Sequence, residues 1–62
     1  MSDAERRVME LVYNGINNEK IADKLFLSPN TVKQHIKSVY AKLDIHSRGD
    51  FVKYAKENDL FQ

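Results

Sequence analysis

The sequence predicts an all-α fold of four short helices around one small core. Apolar residues recur at helical spacing in four stretches. A residue suited to N-capping stands ahead of each one: Ser2, Asn17, Ser28 and Ser47. The connections are only a few residues long, and no internal repeat, low-complexity segment or linker interrupts them. Sixty-two residues make one domain, and a chain of that size buries only about 60% of its unfolded surface. It has no cysteine to form a disulfide, and two histidines without thiols give no expectation of a metal or other cofactor. Compact packing or dimerisation must therefore supply the margin of stability. No apolar run approaches a membrane span and Met1 opens no signal-peptide pattern, so a soluble, cytoplasmic protein is expected.

The first helix is expected over residues 3–13. Ser2 and Glu5 form a Ser-x-x-Glu capping box, and Asp3 and Glu5 suit the positive end of the helix dipole. Ala4, Val8, Leu11 and Val12 make the inward stripe, while Asp3 with Arg7 and Arg6 with Glu10 are spaced for surface ion pairs. Asn14-Gly15 ends the helix, with Gly15 left-handed and Ile16 reaching back to Leu11 as in a Schellman motif. The second helix, residues 18–25, turns Ile21, Ala22 and Leu25 inward. At eight residues it depends on packing to persist.

Phe26-Leu27 leads tightly into the third helix, residues 28–43, with Ser28 as cap and Pro29 in the first turn. Val32, Ile36, Val39 and Leu43 form its apolar stripe, with Tyr40 at the edge. Asn30, Lys33, Gln34, Lys37 and Ala41 face the other way. The second and third helices, joined by so short a turn, make a helix-turn-helix unit. Ile45 is expected to tuck under the next loop. A fourth helix follows to Glu57 or Asn58, started by Ser47 with Asp50 as the weaker half of a capping box and turning Phe51, Val52 and Ala55 inward. Residues 58–62 fray unless Leu60 and Phe61 dock.

Net charge is only +1, but its distribution is uneven. Between Lys24 and Leu43 lie Lys24, Lys33, Lys37 and Lys42 with no acid, while every one of the nine acidic residues falls elsewhere. Lys33 and Lys37 form a like-charge i,i+4 pair that weakens a helix by a few tenths of a kcal/mol. Such a face is either merely solvated or built to meet a polyanion. Glu5, at the edge of its stripe, either serves only the cap or is partly buried and paired with Arg48. Asp44, His46 and Ser47 are of catalytic type, but near neighbours on one loop diverge, so no enzyme and no catalytic residue is expected.

Glu5, Val8, Met9, Gly15, Asn18, Ile21-Ala22, Leu25, Ser28, Thr31-Val32-Lys33, His35, Lys42-Leu43, Ile45 and Arg48 together resemble the LuxR/GerE-type helix-turn-helix of bacterial transcription regulators. The Thr-Val-Lys-x-His run with Lys-Leu seven residues beyond His35 is the specific part. The resemblance implies sequence-specific binding of double-stranded DNA, with helix 28–43 in the major groove. Lys33, Gln34 and Lys37 then reach base edges. Thr31, His35 and Lys42, with Asn18 and Lys20 at the start of the second helix, contact phosphates. It further implies a homodimer through the fourth helix, where Lys53 and Tyr54 lie, and RNA polymerase as a further partner. No small-molecule ligand is implied in this domain, although most members also carry a receiver or ligand-binding domain.

The chain departs from the family pattern at Glu19-Lys20, where the reversed order removes a capping box, and at Phe51, where a small residue is commoner. Two other readings stand beside this one. A small helical protein-interaction module would need an apolar outer patch, and a sigma-factor DNA-binding region would belong to a much longer chain.

Overall fold

A computed structural model describes residues 1–61. It contains α1 (Asp3–Tyr13), α2 (Asn18–Leu25), α3 (Pro29–Leu43) and α4 (Arg48–Glu57), matching the four expected helices. Each begins on its expected cap. The Ser2 hydroxyl accepts from the Glu5 N–H while the Glu5 carboxylate accepts from the Ser2 N–H at 3.0 Å, completing the box. Asn17 caps the Lys20 N–H at 2.9 Å, and Ser28 caps the Thr31 N–H at 3.1 Å. At α4 only half of the expected box forms. Ser47 accepts from the Asp50 N–H, but the aspartate, one methylene shorter than glutamate, makes no return bond.

The four helices also end alike. After each, one residue adopts positive φ: Gly15 (82°), Phe26 (57°), Asp44 (56°) and Asp59 (51°). The amide of the next residue then bonds a carbonyl five residues back: Ile16 to Leu11, Leu27 to Ala22, Ile45 to Tyr40 and Leu60 to Ala55, all at 2.9–3.0 Å. These are Schellman closures, and the residue following each left-handed one is apolar and at least partly buried. Each closure satisfies the last carbonyls of its helix and points the chain back toward the core.

That core is formed by Val8, Met9 and Val12 of α1, Ile21 and Ala22 of α2, Val32 and Val39 of α3, Ile45, and Phe51 and Ala55 of α4. Helix α3 packs on both α1 and α2, and α4 packs on α1. The inward arc of α1 is rotated from the expected one. Met9 and Glu5 are buried, Leu11 is half-buried and Ala4 is exposed. The rotation follows from α3, whose Ser38 and Lys42 hold Glu5 inward.

Glu5 does not pair with Arg48. Its carboxylate accepts from the Ser38 hydroxyl at 3.0 Å and from Lys42 Nζ at 3.1 Å on both oxygens, in addition to the Ser2 N–H. Arg48 instead donates to the Ile16 carbonyl at 2.9 Å. The reason is distance along α1. Glu5 is in its first turn and Ile16 just past its last, about 16 Å apart at 1.5 Å per residue. The Ser2 N–H, then Lys42 and Ser38, hold the Glu5 carboxyl down at about 2 against the opposing effect of burial.

Leu60 and Phe61 dock rather than fray; Gln62 lies outside the described residues. The Phe61 ring lies 5.4 Å from Tyr13 and 6.3 Å from Phe51, with the Arg6 guanidinium 5.2 Å above it. Arg6 also donates to the Leu60 carbonyl at 2.7 Å. It therefore leaves Glu10, and neither expected surface pair of α1 forms among the described residues.

The helix closures and the Glu5 tie can each be tested by substitution. Gly15→Ala, forced to keep positive φ, should lower unfolding free energy by about 1 kcal/mol, whereas Phe26→Gly, which relieves a left-handed phenylalanine, should raise it by up to about 1 kcal/mol in urea titrations. Because the folded carboxyl of Glu5 titrates near 2 rather than 4.5, its stabilisation is present above pH 4.5 and is lost as pH falls toward 2. In Glu5→Gln, thermal unfolding above pH 4.5 should occur at lower temperature than in the wild type. The part of the acid-induced loss that belongs to this group should also disappear.

Candidate nucleic-acid interface

The direction that α3 presents to solvent is set by its inner side. With Val32 and Val39 fully buried and Ile36, Tyr40 and Leu43 half-buried, Asn30, Lys33, Gln34, Lys37 and Ala41 are all exposed. No carboxylate occurs anywhere on α3. Beside this face runs an open depression of ≈ 440 Å³, lined by Asn30, Lys33, Gln34, Ile36, Lys37 and Tyr40 together with Asn18 of α2. A second, of ≈ 430 Å³, continues past Asn17, Asn18, Glu19, Pro29 and Lys33. Asn18 and Lys33 border both, so the start of α2 and the outer face of α3 form one concave surface. Glu19 is the one acid on its margin.

The three residues expected at base edges, Lys33, Gln34 and Lys37, are therefore brought together in one groove, and Asn18 joins them. Lys20 is exposed in the first turn of α2 and lines neither depression. Thr31 and His35 lie half-buried on the flank, and the Thr31 hydroxyl shares a 2.9 Å bond with Ser28. Lys42 is engaged within the fold, its ammonium bridging to Glu5 while the side chain stays 58% exposed. On α4, Lys53 is exposed and Tyr54 half-buried.

Asn30 lines the same groove as the expected base-contacting residues, although charge and motif had not singled it out. Its signal in the sequence is spacing alone, four residues before Gln34 on the polar side. The Asp44 and His46 side chains come together at 3.5 Å on the surface, contrary to their expected divergence. Asp44 is left-handed there, which folds the loop back on itself. The neighbouring Ser47 hydroxyl caps α4 by accepting from the Asp50 N–H. Among the described residues no helix is long and apolar enough to cross a membrane.

Comparison with known proteins shows the family. The family model for bacterial regulatory proteins, luxR family, matches residues 1–55. The chain is 38% identical over 60 residues to the Fimbriae Z protein of Escherichia coli K12, covering 97% of this chain and 29% of that protein. It is 46% identical over 52 residues to a Mycobacterium bovis protein named "Putative HTH-type transcriptional regulator", covering 84% of this chain and 6% of that one. The Fimbriae Z protein of Salmonella typhimurium is 35% identical over 60 residues, 97% of this chain and 29% of that protein. The chain thus spans less than a third of the length of these relatives.

The Lys33–Lys37 repulsion gives a stability test of the free domain. Lys33→Glu places an acid four residues before Lys37, exchanging a repulsive pair for an attractive one. It should raise unfolding free energy by about 0.5 kcal/mol in thermal melts at low salt.

Proposed function

Because the chain belongs to the luxR family of bacterial regulatory proteins, we propose that it binds duplex DNA as the DNA-binding domain of a bacterial transcription regulator. The observation that carries this reading is the outer face of α3, whose lysines and amides line one groove with Asn18 and include no acid. In the proposed complex α3 enters the major groove. Lysine donates to guanine O6 and N7, and Gln34 pairs with adenine. Around them Lys20, Asn18, Thr31 and His35 meet phosphates, which fix register without reading sequence. The start of α2 borders the same surface, and the N-terminus of a helix favours an anion. Lys42 is omitted from this set because Glu5 already holds its ammonium. The site of action is the cytoplasm, where the chromosome lies.

One such module covers on the order of 600–1,000 Å² of protein surface, too little for tight specific binding by itself. We therefore infer a dimer through α4, with Lys53 and Tyr54 on the contact. Its two α3 helices would read half-sites about 10 base pairs apart or a multiple of that.

Fluorescence anisotropy on duplex DNA across a salt series tests the reading. If the three lysines placed at the DNA in this reading (Lys20, Lys33 and Lys37) each displace a counterion, log K should fall against log salt with a slope of about −2.7, doubled for a dimer. Lys33→Glu/Lys37→Glu should abolish binding while the fold persists. A salt-independent response, or binding unchanged in the double variant, would overturn the assignment. It would favour a helical module that binds another protein.

A further inference from the structure

We propose that Asn30 is a base-reading residue, and that Asn30 and Gln34 act as a pair, each reading one adenine about two steps apart on one strand of the half-site. The inference rests on the duplex-DNA reading given above and deepens it from binding to sequence content. Both amides are exposed, lie four residues apart on α3 and line the same groove as Lys33 and Lys37. Among the described residues neither side chain makes a hydrogen bond, so both keep a free donor and a free acceptor. An amide offers the acceptor–donor couple that adenine N6 and N7 complement, and no other base edge in the major groove matches it as well.

Local structure gives no other reason for Asn30. Asparagine suits helix caps and disfavours the helix interior. The cap of α3 is already occupied: the Ser28 hydroxyl accepts from the Thr31 N–H and bonds the Thr31 hydroxyl. Asn30 follows Pro29 in the first turn, the part of a recognition helix that goes deepest into the groove. A short side chain can reach a base edge only from there. Gln34 lies one turn further on and is one methylene longer, which offsets the greater distance.

The spacing follows from helix geometry. Four residues advance about 6 Å along α3, close to two base-pair steps of about 3.4 Å each. Lys33 and Lys37 keep the same interval and donate to guanine. No carboxylate on α3 is available to accept from cytosine N4. The contacted strand is thus purine-rich, with its two adenines assigned to the amides.

In vitro selection from random duplexes, with wild type, Asn30→Ala and Gln34→Ala, tests the pairing. Wild type should enrich half-sites with two adenines about two steps apart, and each variant should relax one of those positions only. Replacing the Asn30-assigned adenine by 7-deazaadenine should weaken wild type at least about 5-fold and leave Asn30→Ala unaffected. If Asn30→Ala selects the same site with the same strictness, or weakens binding uniformly over all sequences, the inference is overturned while DNA binding stands. If wild type shows no salt-dependent binding to any duplex, the functional reading falls as well. Thermal melts of both variants confirm that the fold is retained, as expected for exposed positions.

Discussion

One carboxylate ties the start of the first helix to the end of the third. Glu5 closes the first turn of α1 through the Ser2 N–H, and across the helix boundary it takes the Ser38 hydroxyl and the Lys42 ammonium from the last two turns of α3. Its side chain is only 8% exposed, so these partners must satisfy it, because a buried carboxylate without them would be costly. Together with the buried Val32 and Val39, this tie holds the orientation of α3 about its own axis. Were α3 to turn about its axis, Lys42 and Ser38 would leave Glu5 and the two valines would leave the core. The charge that stabilises the fold thus works with the apolar stripe in setting which side of α3 meets the outside.

The remaining cohesion is apolar and local. Phe51, fully buried, lies between Tyr40 and Phe61, so the chain's last described residue completes an aromatic row begun on α3. With no cysteine to form a disulfide, a chain this short gains from every such contact. The Arg6 guanidinium, over the Phe61 ring and bonded to the Leu60 carbonyl, holds that end against α1.

Features set by local physics can be read from the chain, and those set by distant partners cannot. Caps, helix bounds and the polar side of α3 follow from spacing within a few residues, and all were legible. The partner of Glu5 was not. Nothing in the sequence distinguishes Lys42 from Arg48 as the cation for Glu5, since each is remote from it and the choice depends on which end of α1 lies beside which helix. The phase of α1 failed for the same reason. Ala4 and Met9 both fit a helical stripe, and only the position of α3 decides between them. In the candidate site the lysines and Gln34 were legible from charge and motif. Asn30 carries no charge and belongs to no motif; spacing puts it on the polar side, and the groove it shares with Gln34 and the lysines draws it into the site.

Three of the four left-handed closures lie between helices and leave almost no slack there. Each closure turns on a single residue and returns at once to an apolar side chain that is at least partly buried. A domain built this way is pre-organised. It has little disorder to surrender on docking, so the entropy that flexible binders lose on ordering is already spent in folding. Such a body also cannot stretch to follow a target. In the proposed dimer on DNA, any mismatch between the separation of two half-sites and that of two α3 helices would have to be absorbed where the copies meet, or by bending of the DNA.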